Sequence, residues 1–321
     1  SKAKILIGVY MIRKILLLSA AIVLLTNMNL FAQNGKDSTE EKWNDEKWLN
    51  WKDYDWFHWE FHGKPFMEIN YGFGKANNKN LKSNFADNGL LELKLGYASR
   101  STYYTEDIIQ FSEKYLFGSK FSADLKSSST AIGEMKSDLW RFGFAKREGY
   151  AYKLNNFSIM PYNSSGFVWS RLDMIDYPAK FYLLTNPPMS LDDAVNDTEI
   201  LNRFHQEYRF GTVNEAGIKF DIFSSVSLNV SYEAAVIFPR HLFWKHLGSM
   251  IIEESAKHLL GNFIDEVSDS SPYATPIVDF LLNNGLSYAF FTLKKDRMNW
   301  PFETEAPLTY EMIKLGITVT F

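Results

Sequence analysis

From about residue 65 onward the chain is dominated by runs in which apolar side chains alternate with polar or small ones. That is the period of a strand whose two faces meet unlike surroundings. Met67, Ile69, Tyr71 and Phe73 alternate with Glu68, Asn70 and Gly72, and Leu91, Leu93, Leu95 and Tyr97 alternate with Glu92, Lys94, Gly96 and Ala98. Tyr115, Phe117, Phe121 and Leu125 stand opposite Gly118, Lys120, Ser122 and Asp124, and Trp140, Phe142 and Phe144 opposite Arg141, Gly143 and Ala145. Tyr150, Tyr152 and Leu154 begin a run that continues to Ile159, and a less regular strand covers residues 166–174. Phe204, Tyr208 and Phe210 oppose His205, Glu207 and Arg209, while Ile218, Phe220 and Ile222 oppose Lys219 and Asp221. The longest run sets Val226, Leu228, Val230, Tyr232, Ala234, Val236 and Phe238 against Ser227, Asn229, Ser231 and Glu233. The last sets Ile313, Leu315, Ile317, Val319 and Phe321 against Lys314, Gly316, Thr318 and Thr320.

The pattern predicts about ten antiparallel strands, with eight to twelve compatible, several near the 9–11 residues that cross a bilayer when tilted. A strand with one face in lipid and one in a polar lumen has this alternation; so does a half-buried strand of a soluble sandwich. Small residues on the polar face suit a narrow barrel, in which bulky side chains crowd one another.

The two ends of the chain, taken together, favour the first reading. Met11-Ile12-Arg13-Lys14 is a short basic stretch, and Ile15 to Leu25 is an unbroken apolar or small run. Phe31-Ala32-Gln33 follows, with Ala32 at the expected cleavage point. This is the layout of a secretory signal peptide. The apolar run is too short for the roughly 20 residues of a membrane-spanning helix. Residues 1–33 are therefore expected to be a leader and cleaved signal peptide, and the chain to be exported. A final amphipathic strand closed by Phe321 resembles the C-terminal signature of Gram-negative outer-membrane β-barrel proteins as a class. The resemblance covers about nine residues and implies that Phe321 is an assembly signal read by the barrel assembly machinery. It implies an all-β membrane barrel over residues 65–321, located in the outer membrane and surrounded by its lipid. No particular family is recognised.

Two segments break the strand rhythm. Residues 34–64 are charged and hold five of the nine Trp, Trp43, Trp48, Trp51, Trp56 and Trp59. These spread around a helical wheel instead of forming one stripe, so a polar arm is preferred to a membrane-surface helix. In residues 240–294, Leu242, Phe243, Leu247, Met250 and Ile251 have helical spacing, and the helix is expected to run to about Val267. Ser268 to Pro272 reads as a loop, after which Thr275 caps a second helix with Pro276 at its first position and Asp279 near its N-terminus. An insertion of this length before the last strand is expected to be functional or occluding, a plug in the lumen or an element that binds a protein partner. One feature fits badly. If the first strand runs outward, Gly211 to Asn214 is a short extracellular turn and Ile175 to Arg203 a long periplasmic one, against the usual asymmetry of such barrels.

Composition adds limits. The net charge is -4, which gives no reason to expect a nucleic-acid partner. Aromatic residues make up 16% of the chain, which suits the aromatic girdles of membrane barrels. There is no Cys, so disulfides, lipoprotein attachment and thiolate chemistry are excluded.

Candidate chemistry is sparse. His58 and His62 flank Trp59-Glu60-Phe61, which is not the His-Glu-x-x-His metalloprotease pattern. His205 beside Glu207, or His241 on the expected helix, could serve as a base; His246 and His258 are expected to pack on the same helix. No catalytic set, cofactor or metal is assigned. The polar side chains expected to face the lumen are Glu68, Glu92, Lys94, Arg141, Arg209, Lys219, Asp221 and Glu233. They could line a water-filled pore or pair with one another and close it; at about ten strands closure is favoured. The expectation is a non-enzymatic outer-membrane barrel. A small-solute pore, or a hydrolase or acyltransferase acting on lipid or peptide, stands as the alternative.

Overall fold

The structure, a computed structural model, describes residues 63–321 apart from 104, 127–132, 155–156, 179–182 and 184–187. The expected signal peptide, the five Trp of the arm, His58 and His62 lie outside the described residues. Eight strands form a closed barrel: β1 (Lys64–Asn77), β2 (Asp87–Tyr103), β3 (Thr105–Ser122), β4 (Ser137–Leu154), β5 (Phe157–Met174), β6 (Tyr208–Phe223), β7 (Val226–Ile237) and β8 (Leu308–Thr320). Every strand pairs antiparallel with its sequence neighbours, and β8 closes on β1 with Ile317 opposite Ile69. Closure leaves no strand edge with unpaired backbone groups, the condition for a sheet in lipid.

The count is eight, not ten, because two strands had been divided. The alternation around Trp140 and that around Tyr150 belong to one strand, β4, interrupted in sequence by Lys146, Arg147 and Glu148. Ile159 and residues 166–174 both belong to β5. Residues 208–210 and 218–222 are the two ends of β6, whose middle carries the outward Thr212, Asn214 and Ala216 in place of large apolar residues. Gly211 to Asn214 is therefore mid-strand and not a turn, which removes the anomaly in loop lengths. The three connections at one end are residue 104, residues 155–156 and residues 224–225; the four at the other, 78–86, 123–136, 175–207 and 238–307, are all longer. On β3 the expected parity is inverted. Tyr115, Phe117 and Phe121 point inward and are buried, while Lys114, Leu116 and Lys120 point outward, because the inward rings pack within the lumen, Tyr115 against Lys94 and Arg147, Phe117 against Arg141 and Phe121 against Tyr310.

The long-loop end holds a helix absent from the sequence reading, α1 (Leu191–Asn202), capped by Ser190, whose hydroxyl accepts from the Asp193 amide. Buried Asp197 on α1 accepts hydrogen bonds from the amides of Lys82 and Ser83, tying the helix to the β1–β2 loop. Leu201 and Phe204 then join Phe85, Leu90, Phe121, Met135, Leu139 and Leu172 in an apolar cluster filling that end of the lumen.

The expected helical insertion is present as α2 (Phe243–Ser270) and α3 (Thr275–Lys294), joined by a single turn at Pro272–Ala274. Thr275 is the first residue of α3 rather than its cap, and its hydroxyl bonds that of Ser268. The pair is not a plug. On β7 the odd positions, including Glu233, Ala235 and Ile237, line the interior, whereas Phe291 and Tyr288 of α3 pack against the even positions Tyr232, Ala234 and Val236. The helices therefore lie against the outer wall. The lumen is filled instead by the wall's own side chains and, at the long-loop end, by residues of α1.

Candidate functional site

The interior below the apolar cluster is built by inward positions of all eight strands. Five carboxylates, Glu68, Glu92, Glu113, Glu215 and Glu233, meet five cations, Lys94, Arg141, Arg147, Lys219 and Lys314, and all ten side chains are almost fully buried. Opposite charges are equal in number, so the cluster is neutral when every group is ionised. Arg147 is the hub of its lower part: Nη1 donates to Glu68 Oε2 (2.8 Å) and Glu113 Oε2 (2.7 Å), and Nη2 to Glu68 Oε1 (3.0 Å) and Glu215 Oε1 (3.2 Å). Its guanidinium lies 4.4 Å from the ring centre of Tyr162, whose hydroxyl donates to Glu215 (2.6 Å). Arg141 plays the same part higher up, donating to Glu233 (2.7 Å), Glu92 (3.0 Å) and Ser119 Oγ (2.8 Å). Lys94 bonds both oxygens of Glu215, and Lys219 bonds Glu113. Neutral donors complete the set: Asn70, Asn229 and Thr318 all donate to Glu68.

Space for these side chains comes from glycines. A Cβ at Gly217 would collide with the Tyr162 hydroxyl, and one at Gly316 with the Asn70 side chain. One void of about 10 Å³ lies beside Glu92, Lys94, Glu215 and Glu233. A single water needs roughly 10–15 Å³. Glu92, Glu215 and Glu233 have the spacing of metal ligands. Lys314 Nζ already occupies their centre, 3.0 Å from Glu92, 2.5 Å from Glu215 and bonded to Glu233. The trio therefore serves an internal ammonium rather than a metal ion.

Of the eight lumen-facing residues expected from sequence, Glu68, Glu92, Lys94, Arg141, Lys219 and Glu233 lie in this cluster. Asp221 lies nearer the short-turn end, paired with Arg100 (2.6 Å). Arg209 sits at the opposite rim in an ion pair with Glu207, outside the cluster. Glu113, Arg147, Glu215 and Lys314 were not singled out. Lys314 and Glu215 have the inward parity of their strands, a signal that could have found them. Arg147 was hidden by the charged neighbours Lys146 and Glu148, which point outward on the same strand.

The candidate bases are elsewhere. His205 follows α1, where its Nδ1 accepts from the Met174 amide (3.2 Å) and its ring meets Tyr177 edge-on; it does not face the lumen. His241 precedes α2 and packs edge-on against Phe210 at the rim. Above the cap, a cleft of about 290 Å³ is bordered by Asn78, Asn196, Arg203 and Glu305. Glu305 bridges Arg203 (3.2 Å) and Arg240 (3.0 Å), and Asn78 Nδ2 donates to the carbonyl of Pro307 (2.9 Å), so these long connections are tied together.

The outer wall has the opposite character. Leu91, Leu93, Leu95, Ile313, Leu315 and Ile317 are exposed, and an aromatic band formed by Phe142, Trp169, Tyr208 and Phe210 rings the long-loop end of β4–β6 with ring centres 5.3–5.7 Å apart. A charged interior and an apolar exterior are the reverse of a soluble barrel and the arrangement of a membrane one.

No family model matches the chain, and no curated protein matches it. Among solved structures, it is similar to Neisserial surface protein A (9% identity, 80% of this chain and 97% of that one, TM-score 0.37). It is also similar to Ail, the attachment invasion locus protein of Yersinia pestis (8%, 81% and 99%, TM-score 0.31), and to the outer membrane protein OprG from Pseudomonas aeruginosa (9%, 81% and 96%, TM-score 0.26). The assignment of this chain as a closed antiparallel barrel of the outer-membrane kind rests on its own closure, register and inverted polarity.

Proposed function

We propose that the chain is a non-enzymatic, non-conducting outer-membrane barrel that serves as a rigid anchor, and that it presents its long-loop end to a partner outside the cell. The observation that carries this reading is the filled lumen: a charge-balanced cluster, an apolar layer above it and a residual void of about 10 Å³ leave no path for a solute. Conduction requires a continuous polar route with binding weak enough for release. A cluster whose carboxylates are already satisfied by fixed cations offers neither. Long extracellular loops and short periplasmic turns are usual in such barrels, which orients the end bearing α1 outward. The mutual ties of Asp197, Asn78 and Glu305 favour a preformed surface there over loose loops. Both candidate bases of the enzyme alternative are engaged away from the lumen cluster, His205 by the Met174 amide at its Nδ1 and His241 by the Phe210 ring at the rim.

The test is conductance in a planar bilayer with protein shown to be folded by its faster migration before boiling. A flat trace across repeated insertions is expected. Discrete steps that disappear when the protein is boiled would overturn the closed-lumen reading.

A further inference from the structure

Neither long helix is apolar enough along its length to cross a membrane by itself. The structure nevertheless places both along the full height of the barrel wall. At the long-loop end, His246 packs against Phe238, one residue past the end of β7. At mid-height, Asn284 Nδ2 donates to the Tyr162 carbonyl (3.2 Å). At the short-turn end, the Tyr273 hydroxyl donates to Asp107 (3.1 Å), near the start of β3, and the Tyr152 hydroxyl donates to the Tyr273 carbonyl (2.7 Å). The hairpin thus runs from one rim to the other on the side of the barrel that would face lipid.

The charges of α2 are sorted by direction. Glu253 is buried and pairs with Lys294 of α3, and Lys257 pairs with Glu253 and Glu254. Between Lys245 and Asp265 the exposed residues are Leu247, Ile251, Ile252, Leu259 and Phe263, with Ser255, His258 and Asn262 between them. No exposed Asp, Glu, Lys or Arg falls in that interval; beyond it Asp265, Glu266 and Asp269 are exposed together. From Lys245 to Asp265 is twenty residue steps, about 30 Å at 1.5 Å per residue, which equals the hydrocarbon thickness of a bilayer. Ionisable residues within a membrane face the bundle interior or pair with one another; Glu253 and Lys294 do both, and the partly exposed Lys257 and Glu254 pair with each other.

We infer that α2 and α3 form a helical hairpin embedded in the bilayer beside the barrel, with acyl chains covering the outward face of α2 from Leu247 to Phe263. The inference rests on the barrel lying in a membrane. Its buried Glu253–Lys294 pair, held between the two helices, takes the place of part of the apolarity a lone spanning helix would need.

The absence of Cys allows single-Cys variants to be spin-labelled without background. Labels at Ile251 and Leu259 on the hairpin, Leu93 on the bare wall and Asp269 at the hairpin's end are compared in phosphatidylcholine vesicles. The readout is collision with dissolved oxygen, which enters lipid, against a water-soluble nickel chelate. The expected result is an oxygen-to-nickel ratio at Ile251 and Leu259 matching that at Leu93 and several-fold above that at Asp269. Nickel access at Ile251 and Leu259, with Leu93 still protected, would overturn the embedded hairpin and leave the barrel reading intact. Nickel access at Leu93 as well would overturn both. Labels at Ile251 and Leu259 shielded from both reagents would mean that protein, not lipid, covers the helix, and would also overturn the inference.

Discussion

The outer wall of the barrel has two halves that follow different rules. On β8, β1 and β2 the outward positions are large and aliphatic or aromatic, and Leu91, Leu93, Leu95, Ile313, Leu315 and Ile317 are between 41% and 57% exposed. On β4, β5 and β6 the outward positions at mid-height are Lys146, Ser165, Asn163, Asn214 and Ala216, partly covered beside α3. Lipid offers no hydrogen bonds, so the first half must be apolar at every outward step. A protein neighbour with Asn283 and Asn284 on its surface tolerates small and polar side chains and gains close approach from them, as at helix contacts within membranes. The alternation that announces a strand is therefore clear on the bare half and blurred on the covered one.

The largest way to break this comparison acts beneath both halves. Arg147→Met removes the partner of Glu68, Glu113 and Glu215 together and leaves buried negative charge uncompensated, a loss of about 3–5 kcal/mol. The expected outcome is loss of the heat-modifiable band or a strongly lowered unfolding temperature on gels of graded heating. Next comes the bare wall: Leu315→Arg places a charge in lipid and is expected to cost about 2–4 kcal/mol if the position is near the bilayer midplane. The same change at Asn214 meets α3 instead of lipid, so its penalty is expected to shift toward that of Leu315→Arg when residues 240–296 are replaced by a short linker, whereas that of Leu315→Arg is expected to stay. Equal penalties in both backgrounds would show that α3 is not what covers Asn214. The smallest effect concerns the hairpin's tip. Tyr273→Phe removes one hydrogen bond to Asp107, worth about 0.5–1.5 kcal/mol, and is expected to speed proteolysis near residue 271 with little change in barrel unfolding.

The difference between the halves also explains which parts of the fold were readable. β1, β2, β7 and β8 were located from alternation because a polar, side-chain-filled interior on one side and lipid, or on part of β7 the apolar side chains of α3, on the other impose it residue by residue. β4 and β6 were each divided in two where Lys146 to Glu148 and Asn214 to Ala216 lie under or beside α3. The parity of β3 was inverted because Tyr115 and Phe117 stack on cations of the lumen and Phe121 joins the apolar layer above them, and periodicity reports that two faces differ without saying which is inside. The lumen cluster was half visible. Glu68, Glu92, Lys94, Arg141, Lys219 and Glu233 stand on clean alternating runs, whereas Glu113 and Arg147 stand among charges on both faces.

The sequence by itself determined that strands of period two dominate, that polar residues share one parity on most of them, and that a helical pair interrupts them before the last strand. These are local properties, set by the spacing of side chains along one strand or helix. Only the tertiary structure decided that the strands number eight, that five acids and five bases from different strands neutralise one another, that α1 caps the lumen, and that the helical pair lies outside the wall rather than within it. Each of those depends on which surfaces meet across the barrel. That is settled by closing the sheet into a narrow ring filled by its own side chains and, at the long-loop end, by residues of α1.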